Sequence, residues 1–235
     1  MSDREKYFFD NVIIKEEDIP RAKQAIYSKG IEKHIIILDM LKAWGMGEKI
    51  PYEYIASFYR YDKRIRKVLF VFISYLEEYY RSIILDKYRF NWKTLRIDYQ
   101  LKYHLNKTND MDKALEMIEF SALINQVYKI RNEISDRTFF SDIPHARKNL
   151  DALVELRNSV MHNRFLLLYR GLKECYIGEA SFKSASLKDN IINLINFLPD
   201  NVRDKCKKEI NDCSKERNNE NKTSWCIPPM IKITI

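Results

Sequence analysis

A chain of 235 residues with only 5 glycines and 6 prolines can bury a sizeable core without disulfide or metal staples. It is also too poor in turn formers for a β-sandwich, which leaves an all-α fold as the expectation. The 41 lysines and arginines outnumber 33 aspartates and glutamates, for a formal charge of +8. That excess favours a polyanionic partner, nucleic acid before an anionic membrane surface, although charge by itself does not separate such a protein from a domain that is merely basic.

No segment approaches the roughly 18 apolar residues of a membrane span, Val68 to Ile73 being the richest. The start, Met1-Ser2-Asp3-Arg4-Glu5-Lys6, is charged and leads into no apolar signal region. Cys175, Cys206, Cys213 and Cys226 form no C-x-x-C pair and have no histidine at zinc-ligand spacing. The expectation is a cytoplasmic protein with reduced thiols, no membrane association, no metal and no cofactor.

In chain order, residues 1–18 are polar and unpatterned and read as an irregular lead. Asp18 and Pro20 predict a helix start and Gly30 its stop, followed by a short helix over Ile31 to Trp44 that Gly45-Met46-Gly47 and Pro51 break. From Pro51 to about Tyr88 apolar residues recur at three- and four-residue spacing, predicting one long helix. Its middle, Val68 to Ile73, is apolar all round, as expected of a helix at the centre of its protein or at an interface.

Asn91 to about Asp110 reads as a polar connection with room for short helical turns, and Asp112 to about Asp136 as another helix. A further helix is expected from Pro144, capped by Ser141 or Asp142. After Gly171 and Gly178 the pattern resumes at Ser186, Pro199 interrupts it, and a charged helix follows to about Asp212. Residues 213–224 read as flexible, and the tail as lying outside the core. The expected organisation is 1–50, a lead with short helices packed on the core; 51–212, the main helical domain; and 213–235, an irregular C-terminal tail. No repeat of solenoid length is present.

The segment Leu156-Arg157-Asn158-Ser159-Val160-Met161-His162-Asn163-Arg164-Phe165 carries the candidate chemistry. At about 100° per residue, with Leu150 at the centre of its face, Leu153, Val154 and Met161 form an apolar stripe with Arg157 in its middle. An arginine there needs a charge partner, so it is either a structural anchor held by a carboxylate or part of an anion-binding site. His162 falls about 140° from Arg157 on an ideal helix. The two therefore meet only if the helix ends or distorts between them, or through a ligand or a second copy of the chain.

If this segment cleaves a phosphodiester, the metal-free route uses the 2′-hydroxyl that only RNA supplies. It needs a base, an acid, and a cation for the charge growing on phosphate. Histidine can fill either proton-transfer role and arginine's planar fork suits phosphate. One histidine for two roles fits a symmetric dimer. A lone histidine near a helix end is nevertheless more often a cap or surface residue, and R-x-x-x-x-H is a short string.

Arg157-Asn158-x-x-x-His162 resembles the R-x(4 to 6)-H signature of HEPN ribonucleases, including the polar residue after the arginine. Leu153-Val154-Glu155-Leu156-Arg157-Asn158-Ser159-Val160-Met161-His162-Asn163-Arg164-Phe165 is similar to the "LRN…H..R" block of the Abi-like abortive-infection proteins of the AbiD and AbiF kind. Phe58-Tyr59-Arg60-Tyr61-Asp62-Lys63-Arg64-Ile65-Arg66 and Leu76-Glu77-Glu78-Tyr79-Tyr80-Arg81 resemble two further blocks of that family, in the expected order. The resemblance implies an all-α, HEPN-like helical bundle with additional N-terminal helices, acting as a homodimer. It further implies a composite site with Arg157 and His162 from both chains and metal-independent endoribonuclease activity in phage defence or as a toxin.

On this reading His162 is the general acid or base, Arg157 stabilises phosphate charge and Asn158 orients one of them. Glu77, one helical turn from Arg81, is the candidate carboxylate for Arg157. Arg60, Lys63, Arg64, Arg66 and Lys67, interleaved with Tyr59 and Tyr61, are candidate RNA contacts together with Arg164, a solvated helix face being an equally good reading of the run. The expected partners are RNA, as substrate or as a bound non-coding RNA, a second copy of the chain, and an antitoxin or regulatory RNA. The competing expectation is a non-catalytic RNA-binding or RNA-scaffolded protein.

Overall fold

The computed structural model describes residues 2–94, 97–138, 140, 143–215 and 226–235. Among them it is all-α, as the composition predicts: ten α-helices and two short strand pairs. The chain forms two compact units, one of Met1–Arg64 with Cys213–Lys232, the other of Ile65–Asp212 with Ile233–Ile235. The longest helix, α4 (Tyr52–Tyr88), gives its N-terminal part to the first and the rest to the second.

In the first unit α1 (Asp3–Asp10) stands where an irregular lead was expected. Ser2 and Glu5 close a capping box: the Ser2 hydroxyl accepts from the Glu5 amide at 3.2 Å, and the Glu5 carboxylate accepts from the Ser2 amide at 2.7 Å. The helix buries one side chain, Phe8, which is too little for an apolar period to register. Strand β1 (Val12–Ile13) then pairs in parallel with β2 (Ile50–Pro51).

Helices α2 (Ile19–Lys29) and α3 (Ile31–Ala43) fall where the capping signals put them, with Gly30 at φ +85° forming the corner. Ile37, Leu38 and Leu41 of α3, with Ile55 and Phe58 of α4, are fully buried.

The expectation that the tail avoids the core is overturned. Ile227 and Ile231 are buried in the first unit, Ile233 in the second, and the Cys226 amide donates to the Ser57 hydroxyl at 3.0 Å. Burying an isoleucine contributes about 1.5–3 kcal/mol, enough to hold a short segment that has no regular structure beyond one 3-10 turn, Pro229–Ile231. Of the stretch expected to be flexible, residues 216–224 lie outside the described residues.

In the second unit α4 buries Ile65, Leu69, Phe72, Ile73, Leu76, Tyr80, Ile83 and Ile84. Its apolar middle is not at the centre of this chain, because Phe70 and Val71 are 50% and 49% exposed and Tyr75 is exposed beside them.

Helix α5 (Tyr99–Thr108) replaces about half of the expected polar connection; Asp98 caps it by accepting from the Gln100 amide at 2.9 Å, and Leu101 and Leu105 enter the core. The single helix expected over Asp112 to Asp136 is two, α6 (Met111–Met117) and α7 (Phe120–Lys129), with extended Ile118 and Glu119 between them. A continuous helix would turn Ile118 and Phe120 about 200° apart; the break lets both be buried.

The helix expected from Pro144 is α8 (Ala146–Met161). It starts only after His145, which adopts a left-handed φ of +55°. The expected caps, Ser141 and Asp142, lie outside the described residues. An unanticipated hairpin, β3 (Cys175–Ile177) with β4 (Ala180–Phe182), follows. Next come α9 (Leu187–Phe197), opened by a Ser186–Asp189 capping box, and α10 (Asp200–Asp212) after Pro199. Helix α7 packs on α8, α8 on α9 and β3, and α9 on α10.

Candidate active site

Helix α8 is tied down at both ends. Near its start, buried Asn149 splices it to the hairpin: its amide nitrogen donates to the Tyr176 carbonyl at 3.0 Å, and its amide oxygen accepts from the Tyr176 N–H at 2.7 Å. At its end the chain makes a Schellman turn, the Arg164 amide donating to the Ser159 carbonyl at 3.1 Å and the Asn163 amide to the Val160 carbonyl at 3.3 Å. Asn163 takes the left-handed position, φ +54°, which asparagine tolerates better than most L residues.

Arg66 of α4 clasps this turn, donating from Nη2 to the Arg164 carbonyl at 2.8 Å and from Nη1 to Asn163 Oδ1 at 3.4 Å. The helix thus ends at Met161, and His162 is its C-cap, exposed to solvent. Of the geometric options above, the helix ends before His162.

The buried face of α8 comprises Asn149, Leu150, Ala152, Leu153, Leu156, Ser159 and Val160, while Val154 and Met161 are only partly covered. The expected stripe is therefore rotated, and Arg157 sits at its edge rather than its middle. The physical reason is that Asn149 and Ser159 are buried too, so apolarity alone misplaces the centre of the face.

Arg157 has the carboxylate expected for it. Its Nε donates to Glu77 Oε1 at 3.0 Å, and Glu77 Oε2 lies 3.5 Å from Arg81 Nη1. Arg81 in turn donates from Nε to the Leu115 carbonyl of α6 at 3.2 Å. The Glu77 side chain is 12% exposed, those of Arg157 and Arg81 28% and 25%. Phe120 of α7 lies under the Arg157 guanidinium, 5.8 Å from ring centroid to Cζ. The terminal nitrogens of Arg157 make no hydrogen bond to a described residue, so the fork retains donors while its stem is fixed. Asn158 is exposed next to it.

The candidate RNA contacts separate. Arg60 donates to the Ala56 carbonyl and the Ser57 hydroxyl, Arg64 to the carbonyls of Cys213 and Lys215, and Arg66 to the α8 turn. Lys63, Lys67 and Arg164 are exposed. Tyr61 is fully buried, and Tyr59 stacks on His34 with its centroid 5.7 Å away, so neither stands open as a platform for bases. Sequence reasoning missed the clasp by Arg66, for which the signal was Asn163 just beyond a helix end.

Among the described residues no cysteine pairs with another in a disulfide. Among the described residues no three histidine, cysteine or carboxylate side chains converge as metal ligands, and no helix is long and apolar enough to cross a membrane. Comparison with family models, with curated proteins and with solved structures found no match.

Proposed function

We propose that this chain is a cytoplasmic, metal-independent endoribonuclease of HEPN type, serving phage defence or acting as a toxin, and cleaving RNA by attack of the 2′-hydroxyl at a site completed across a homodimer. The observation that carries the reading is the end of α8: an exposed His162 on a clasped turn, one helical turn and a half beyond an Arg157 whose stem is fixed and whose terminal donors are open. His162 supplies or accepts the proton, Arg157 meets the charge building on the phosphate, and Asn158 orients the bound group.

One chain offers one such histidine. The half-exposed apolar face of α4 at Phe70 and Val71 offers a place for a second copy. It begins four residues, about 6 Å of helix, beyond Arg66, which itself grips the turn bearing His162.

Incubating the protein and its His162→Ala variant with end-labelled RNA in EDTA tests this. A 2′,3′-cyclic phosphate product made only by the unaltered protein is expected, while cleavage by the variant at full rate would refute the assignment. The second reading, a non-catalytic RNA-binding or RNA-scaffolded protein, is favoured by the bond between Arg157 and Glu77, which gives the arginine a structural task. Intact RNA co-purifying with the protein and persisting through the incubation would select it.

A further inference from the structure

Helices α7 and α8 lie side by side in opposite directions: Phe120 at the start of α7 is under Arg157 near the end of α8, while Asn125 and Tyr128 meet Arg147 near its start. The seam between them carries a guanidinium at each end, and a third, that of Arg131, lies just past α7. Arg131 and Arg147 both rest against Tyr128, their Cζ atoms 4.4 and 5.6 Å from its ring centroid.

The two arginines are held in different ways. Arg147 donates from Nη1 to Asn125 Oδ1 at 2.6 Å and from Nη2 to Asp151 Oδ1 at 2.9 Å. Arg131 lies over the ring and donates one hydrogen bond, from Nη1 to the Tyr128 carbonyl at 3.0 Å. It makes no ion pair among the described residues. Asp151 is taken by Arg147, and Glu133, two residues beyond Arg131, accepts from the Tyr88 hydroxyl.

Stacking occupies the face of a guanidinium and leaves its in-plane N–H groups to other partners. The Nε and Nη2 donors of Arg131 therefore have no acceptor among the described residues. The hydroxyl of the partly exposed Tyr128 likewise makes no hydrogen bond to a described residue. With Asp151 on α8 and Glu119 just before α7, the cluster offers oriented donors rather than a surplus of charge.

Ten residues separate Arg147 from Arg157, about 15 Å of helix, and both side chains contact α7. A nucleic-acid strand advances about 3.4 Å per stacked nucleotide. We propose that Arg131 and Arg147, against Tyr128, clamp a backbone phosphate of a single RNA strand about four nucleotides from the phosphate at Arg157. The Arg131 fork gives two donors, Arg147 its remaining N–H groups and Tyr128 a neutral hydroxyl. The inference rests on the reading of α8 as an RNA site and not on cleavage at His162.

Binding is read with 2′-O-methyl RNA, which lacks the attacking hydroxyl and stays intact. The full-length protein, Arg131→Gln, Arg147→Gln and Arg131→Lys are titrated over a range of salt concentrations with strands of about two and about eight nucleotides, shorter and longer than the span. Thermal unfolding of each is recorded alongside. Both positions are partly exposed, and a surface pair such as Arg147–Asp151 contributes little to stability.

The longer strand should bind each glutamine variant about tenfold more weakly, the value of one charge-assisted hydrogen bond. The slope of log K against log salt should fall by about 0.7 per lost phosphate contact. The gain from the short strand to the long one, which comes from spanning both ends, should shrink. Arg131→Lys should keep the slope, since it keeps the charge, without regaining the affinity that needs a fork.

An equal length gain in all the proteins, or an unchanged salt slope in the glutamine variants, would overturn the clamp while leaving RNA binding in place. Full recovery by Arg131→Lys would overturn it too, since oriented donors would then be unnecessary. So would an oligoglutamate of equal charge bound with the same dependence on Arg131, which would mark an acidic protein partner. No saturable binding of either strand would overturn the clamp and the RNA reading together. His162→Ala should leave every one of these titrations unchanged.

Discussion

Removing the Glu77 carboxylate is the most informative perturbation of the candidate site. Glu77 stands between two guanidiniums, 3.0 Å from Arg157 and 3.5 Å from Arg81, and only 12% of its side chain is exposed. Breaking a fully buried pair costs about 3–5 kcal/mol, because the orphaned charge stays desolvated, whereas a fully exposed pair is worth about 0.2–1 kcal/mol. The arginines are 28% and 25% exposed, so water can reach each of them once the carboxylate is gone. That places Glu77→Ala between the limits, at about 2 kcal/mol. For a chain of this length the corresponding fall in Tm is about 4–8 °C.

Glu77→Gln is not a rescue. Its amide oxygen can serve Arg157, but its NH2 then faces Arg81, donor against donor. The assay is urea and thermal unfolding of Glu77→Ala, Arg157→Met and the double variant. A coupling energy of about 1–2 kcal/mol is expected between the two positions. Additive effects, or a Tm within about 1 °C of the unaltered protein for Glu77→Ala, would refute the claim that Glu77 holds Arg157.

Arg66→Met should remove both clasping bonds on the α8 turn. If the turn positions His162, kcat for RNA cleavage falls while KM holds, and an unchanged kcat would contradict that role. Asn163→Val should cost about 1–2 kcal/mol because a β-branched residue resists the left-handed position, whereas Asn163→Gly should be close to neutral in thermal unfolding. Ser186→Ala should destabilise by about 1 kcal/mol through loss of the α9 capping box, read as a lower urea midpoint.

Lys148, then Ser181 and Tyr176, hydrogen-bond Glu174 and hold its carboxyl down at about 2. Because the folded value lies below the unfolded one, this contribution is present above the ordinary carboxyl pKa near 4.5 and is lost as pH falls from there through about 2. An NMR titration of Glu174 with a midpoint near 4 would contradict it, and Glu174→Gln should flatten that part of the acid profile.

Much of the helical layout could be read from local chemistry. Capping and stop residues are short-range signals, so Asp18, Gly30, Ser186 and Pro199 located α2, α9 and α10 without knowledge of the fold. The amphipathic period of α4 spans many turns, which is why its limits came within a residue of those observed. Elements with little buried surface escaped the same reading: α1 commits one side chain to the core, and α5 two. The Glu77–Arg157 contact was legible because an arginine near an apolar stripe requires a carboxylate, and few carboxylates lie on a largely apolar helix.

By itself, then, the sequence determined the all-α class, the long helix from residue 52 to 88, and the need of Arg157 for an acidic partner, since each follows from solvation and hydrogen bonding within a few helical turns. Tertiary structure alone decided the break at Ile118, where burying two side chains that one helix would turn apart outweighs continuity. It alone decided that Arg157 lies at the edge of its face, that Arg66 grips the turn behind His162, and that Phe70 and Val71 remain in solvent. It also set Arg131 and Arg147 against one tyrosine, Tyr128. Those outcomes depend on contacts between residues far apart along the chain, and no local period or cap encodes them.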